Sequence, residues 1–102
     1  MYIQNKDVLV IGGSRGIGLG IKNAFLERNC NVVSVDSSVC DISKPDEIDS
    51  FMSTLKNVDI LVNNAAINHC KSIEDIDLNE WKNVLDVNLT SFFYIIKKTL
   101  PL

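Results

Sequence analysis

Val8-Leu9-Val10-Ile11-Gly12-Gly13-Ser14-Arg15-Gly16-Ile17-Gly18 is the stretch that decides the fold. Four apolar, mostly β-branched residues stop at glycines, which predicts a short strand buried on both faces. Ile17, Ile21, Ala24 and Phe25 then recur at helical spacing and predict a helix over about 17–29 with one apolar face. Between strand and helix the chain must turn sharply. Glycines permit that turn and let backbone N–H groups approach a pyrophosphate with no Cβ in the way. The helix N-terminus adds about half a positive charge directed at the same place. Gly12, Ser14, Arg15, Gly16, Ile17 and Gly18 are therefore the first candidate binding residues.

Outward from this turn the pattern continues. Asn31 to Asp36, with Val32, Val33 and Val35, predicts a second strand, and Val39 to Ile42 a short third one. Ser43 is a candidate N-cap before Pro45, and Asp46 and Glu47 suit the positive end of a helix. Ile48, Phe51, Met52 and Leu55 carry that helix through about 45–56. Asp59-Ile60-Leu61-Val62 predicts a fourth strand ending at Asn63-Asn64. Asp77-x-x-Glu80 predicts a capping box, and a helix from about 78 runs to Leu100 before Pro101. Trp81, on this helix, is expected in a core or an interface. The order β-α-β-β-α-β-α places the chain in the α/β class. Right-handed crossovers then give a parallel-sheet Rossmann half-domain with strand order 3-2-1-4, one domain over 1–102.

Composition removes other classes. A net charge of −3 argues against nucleic acid, which calls for a basic patch. The longest apolar run is far too short to cross a membrane, and no signal-peptide pattern opens the chain. Cys30, Cys40 and Cys70 are odd in number and lack metal-ligand spacing, so they are expected as free thiols in a reducing cytoplasm. No metal is expected.

Gly12-x-x-x-Gly16-Ile17-Gly18 resembles the glycine fingerprint of the short-chain dehydrogenase/reductase family. Three later stretches match in the family's order. Asp41-Ile42-Ser43 resembles the segment after the third strand that contacts adenine. Asn63-Asn64-Ala65-Ala66 resembles the Asn-Asn-Ala-Gly motif that ends strand four, and Asp86-Val87-Asn88-Leu89-Thr90 resembles the segment bearing the family's helical catalytic Asn. The resemblance implies a nicotinamide dinucleotide cofactor held by the glycine turn, Asp36, Asp41, Ile42, Asn64, Ala65 and Ala66. It maps a catalytic role onto Asn88 and implies a small alcohol or ketone as substrate. Two departures stand out: Ala66 replaces the usual Gly, and only a turn's worth of residues separates Asp36 from Asp41.

Asp36 ends the second strand, where the adenosine ribose would lie. Its carboxylate can accept hydrogen bonds from the ribose hydroxyls and repels a 2′-phosphate. Arg15 pulls toward NADP, but Ser37 and Ser38 offer no cation, so NAD is favoured over NADP.

In the complete family an Asn acts with a Ser and a Tyr-x-x-x-Lys pair, which follow a fifth strand. This sequence ends before either, so a truncated chain, inactive alone, is expected. Tyr94-Ile95-Ile96-Lys97-Lys98 mimics the pair, but Tyr94 would lie about 9 Å along the same helix from Asn88. It is expected to be a partly exposed helix pair. His69 is expected as a loop residue. Three roles stay open: part of an alcohol/ketone oxidoreductase, a silent dinucleotide-binding module, or a plain interaction protein. An exposed fourth-strand edge and an apolar 78–100 helix predict a homo-oligomer through one or the other.

Overall fold

The computed structural model describes residues 2–102. Three parallel strands form one sheet in the order β2-β1-β3: β1 (Asp7–Ile11), β2 (Asn31–Val35) and β3 (Ile60–Asn63). β1 lies at the centre, with Leu9 opposite Val33 on one side and Leu61 on the other. The two-residue period of a strand sorts its side chains. Val8 and Val10 pack with Cys30 and Phe25 on the face that carries helix α1 (Gly16–Glu27). Leu9 and Ile11 pack with Ile48, Met52 and Ile95 on the other face, beneath helix α2 (Pro45–Met52) and helix α4 (Ser91–Thr99). Every apolar residue of β1 is therefore buried, as its unbroken run predicts.

The chain order places the first, second and fourth expected strands as 2-1-4. The expected third strand is absent among the described residues: 37–39 form a turn, not a strand. The reason is local. Asp36 accepts hydrogen bonds from the Ser38 amide and hydroxyl, and its carbonyl takes the Val39 and Cys40 amides. Asp41 binds Ser43 in the same manner, through the amide at 3.0 Å and the hydroxyl at 2.7 Å. Two such turns in eight residues leave no extended segment, because an Asp or Ser side chain offers the backbone an alternative to a ladder. The same bond removes Ser43 as a cap: Lys44 holds that position on α2 without a side-chain bond, and Pro45 follows at the first helical position.

The long C-terminal helix is three segments in one rod. Helix α3 (Leu78–Leu85) runs into a wide π turn (Asp86–Thr90) and then into α4. Asp77 caps α3 by accepting the Glu80 amide at 2.8 Å. Glu80 does not complete the box; its carboxylate pairs with Lys71 at 2.8 Å. Trp81 stands half-exposed on α3 and belongs to no core cluster. Ile17 is 77% exposed, because the first turn of α1 projects past the sheet. No helix is long and apolar enough to cross a membrane among the described residues.

Candidate functional site

A cleft of about 940 Å³ opens where the three strands end. Ile11, Val35 and Asn64 mark the carboxyl ends of β1, β2 and β3 along its floor. Ligands of open α/β sheets bind at this position, because loops and helix N-termini converge there.

The glycine turn forms one wall. Gly12 has φ +88°, and a Cβ there would lie 2.9 Å from the Ala65 backbone, so only glycine fits. Gly12 N–H donates to the Val35 carbonyl at 2.7 Å, which ties the turn to β2. Its carbonyl accepts the Asn64 side-chain amide at 3.0 Å, which ties it to the end of β3. Gly18 is buried beneath: a Cβ there would stand 1.8 Å from the Gly12 carbonyl oxygen. Ser14, Arg15, Gly16 and Ile17 then line the cleft at the start of α1, where the first helical amides have no partner within the helix. The wall is thus a row of bare donors at a helix N-terminus, fitted to an anion.

The part of the cleft at the end of β2 is acidic. Asp36 and Asp41 both line the cleft, with Ser37, Ser38, Cys40 and Ile42 around them. The Ser38 hydroxyl and amide hold the Asp36 carboxyl below the usual carboxylate range. The Ser43 hydroxyl does the same for Asp41, helped by Lys44 at 3.8 Å. Burial pushes the Cys40 thiol up, and the charges of Glu47 and Asp41 push it further. Two anchored carboxylates give this part of the cleft a field that repels a phosphate and accepts hydroxyl donors.

Of the twelve residues expected at a cofactor, eleven line this one cleft: Gly12, Ser14, Arg15, Gly16, Ile17, Asp36, Asp41, Ile42, Asn64, Ala65 and Ala66. Gly18 does not reach it; it lets α1 close on the turn. Sequence reasoning left out Ile11, Val35, Ser37, Ser38, Cys40 and Ile67, and also Asn83 and Val87, which α3 and the π turn bring to the cleft. The repeated Asp-x-Ser spacing was the available signal for Ser38.

Asn88 stands behind the wall. Its side-chain oxygen accepts the Ile67 amide at 2.8 Å, and its amide donates to the Ile67 carbonyl at 2.8 Å. It thereby pins the loop after β3 to the π turn, with Ile67 itself lining the cleft. Tyr94 and Lys98 are elsewhere, bridging α4 to α2. The Tyr94 hydroxyl donates to Asp49 at 2.6 Å, and Lys98 pairs with the same carboxylate at 3.2 Å. Hydrogen bonding to Asp49 pushes the Tyr94 phenol up, away from what a general base requires. His69 sits in the loop after β3, its Nε2 buried and unpaired.

A family model described as short chain dehydrogenase matches residues 34–102. D-beta-hydroxybutyrate dehydrogenase of Cupriavidus necator is 32% identical over 124 aligned positions, covering 97% of this chain and 48% of that protein. Those positions outnumber the residues of this chain, so the relative carries residues within the matched stretch that are lacking here. Ligand-free aldohexose dehydrogenase of Thermoplasma acidophilum superposes with a TM-score of 0.87 at 29% identity, over 97% of this chain and 44% of that one. A blue fluorescent protein from a metagenomic library, solved with NADPH, shares the fold at a TM-score of 0.87 and 22% identity, over 99% of this chain and 52% of its own. The chain spans about half the length of the curated relatives it matches.

Proposed function

The chain belongs to the short-chain dehydrogenase family, and from that premise we propose that it is the dinucleotide-binding part of an alcohol/ketone oxidoreductase, selective for NAD(H) over NADP(H). One observation carries the proposal: bare amides at the start of α1 and the Asp36 carboxylate at the end of β2 line the same cleft. The pyrophosphate rests on the glycine turn, and Asp36 accepts the ribose hydroxyls. Ile42 and Asp41 border adenine; Asn64, Ala65 and Ala66 border the nicotinamide end. When bound, the nicotinamide supplies hydride transfer, and this chain's residues bind and orient it.

Asn88, assigned by resemblance to the catalytic set, supports that end through its two bonds to Ile67. The Tyr94–Lys98 pair takes no part, because Asp49 occupies both groups. We expect no turnover of simple alcohols by the 102-residue chain. The relatives' names span a hydroxy acid and a sugar, so the substrate class proposed goes no finer than a small alcohol or ketone. A reducing cytoplasmic setting accords with buried, unpaired Cys30 and Cys40. Self-association through the β3 edge or the 78–100 helix completes the proposal; nucleic acid and membrane are not among its partners.

The test is NADH fluorescence titration in parallel with NADPH. The proposal expects saturable enhancement with NADH and at least tenfold weaker binding of NADPH, about 1.4 kcal/mol. Equal or reversed affinities overturn the NAD preference; no response to either at millimolar protein overturns binding itself. Binding without turnover, in a chain extended to the length of the relatives, would favour a silent binding module.

A further inference from the structure

Strand β2 leaves one edge of the sheet open. Its inner edge is taken up by β1: Asn31 N–H donates to the Lys6 carbonyl, and the Val35 carbonyl accepts Gly12 N–H. Backbone groups alternate between the two sides of a paired strand, so Val32 and Ser34 turn their N–H and C=O groups outward. These outward groups have no hydrogen-bond partner among the described residues. The expected third strand would have covered this edge, and the turns Asp36–Ser38 and Asp41–Ser43 stand in its place.

Sheets guard such an edge with a charge, a proline or a bulge. Asn31-Val32-Val33-Ser34-Val35 has none of these, and its register with β1 runs unbroken. The strand suits a copy of itself. Paired antiparallel about Val33, two copies set each Val32 opposite the partner's Ser34, and both pairs exchange two hydrogen bonds. Val33 then meets its own copy at the close position between them. Val33 is 42% exposed and shares the face of Leu9, where it lines a cavity of about 260 Å³ with Leu55 and Val58. A second Val33 on that face covers the cavity's apolar wall. Charge agrees with the antiparallel sense. Arg28 precedes β2 and Asp36 follows it, so opposed strands bring each Arg28 toward the partner's Asp36. Asp7, beside Asn31 on β1, is already held by the Asn31 and Asn57 amides.

We propose that a second copy of this chain pairs antiparallel on the outer edge of β2, with the two-fold axis at Val33, so that two sheets become one. A five-residue edge buries less than the roughly 800 Å² per partner of a standard interface, so the dimer is a weak one, with a dissociation constant on the order of 100 µM. This surface is distinct from the β3 edge and the 78–100 helix. It also stands apart from the dinucleotide reading, and either can fail without the other.

The experiment follows amide hydrogen exchange of the ¹⁵N-labelled chain from about 20 µM to about 1 mM, with sedimentation equilibrium over the same range. The Val32 and Ser34 amides should exchange at least about threefold more slowly at the top of the range, as mass action on such a dimer requires. Val33, whose amide already sits in the β1 ladder, sets the baseline. Val33→Lys puts like charges across the axis and should abolish that slowing. Val33 is half-exposed, so the variant should keep its circular dichroism. In a Cys70→Ser background, Val33→Cys should form a disulfide with its own copy on oxidation, since Cα atoms of such a pair lie about 4.5 Å apart. Val32→Cys should not, because like residues there are offset by two positions and lie about 8 Å apart. A monomer throughout the range, a dimer whose Val32 and Ser34 amides stay unprotected, or self-linking Val32→Cys each overturns the proposal.

Discussion

Asp36 carries the selectivity proposed for the cleft, and Ser38 determines where its carboxylate points. One carboxylate oxygen takes both the Ser38 amide and hydroxyl, which leaves the other for the ribose. Asp36→Ala should weaken NADH by roughly tenfold or more, the worth of hydrogen bonds to a charged group, and narrow the gap to NADPH; the paired titration reads both. The same bonds link stability to pH. A carboxyl lowered in the folded state contributes stability that is present above its ordinary range and lost as pH falls through the folded value. For Asp36 and Asp41 that window lies below about pH 4. Ser38→Ala should therefore lower the urea midpoint at neutral pH, with the difference from the parent shrinking as pH drops to about 2.5. A constant difference across that range would remove the linkage.

At the scale of elements, two glycines of α1 make opposite predictions. Gly18→Ala drives a methyl into the Gly12 carbonyl and should destabilise by about 3 kcal/mol. Gly20 has open space around it, so Gly20→Ala should stabilise by about 0.5–1 kcal/mol, the ordinary helix preference. Urea unfolding of the two variants decides both. Asn88→Leu should cost about 2 kcal/mol by leaving the Ile67 amide and carbonyl without their partner. The strands and first helices were legible because burial shapes their sequence: Val8 to Ile11 is an unbroken apolar run buried on both faces, and Ile48 to Leu55 repeats at the spacing of the helix face it buries. Val39 to Ile42 has the composition of a strand but not its geometry, since Asp36–Ser38 and Asp41–Ser43 close turns first. The π turn left no trace in the pattern, because its bracing partner, Ile67, lies 21 residues away. Most of the cleft was legible through the glycine turn and its later matches. Asn83 and Val87 were not, because helix packing across the cleft brings them there.

On the scale of the whole molecule, the sheet and the rod divide the work. The sheet gathers the glycine turn, the two acidic turns and the loop after β3 at its carboxyl end, while the rod presents exposed apolar side chains outward. A smaller cavity of about 260 Å³ sits at the amino end, lined by Asp7, Asn31 and Val58, and has no row of free amides. The central claim is therefore positional, and amide chemical shifts during titration of the ¹⁵N-labelled chain with NADH test it most directly. The largest changes should fall on Gly13 to Gly18 and on Asp36 to Ser38, with Asp7, Asn31 and Val58 unmoved. Changes concentrated at the amino end, or none at saturating NADH, would contradict it.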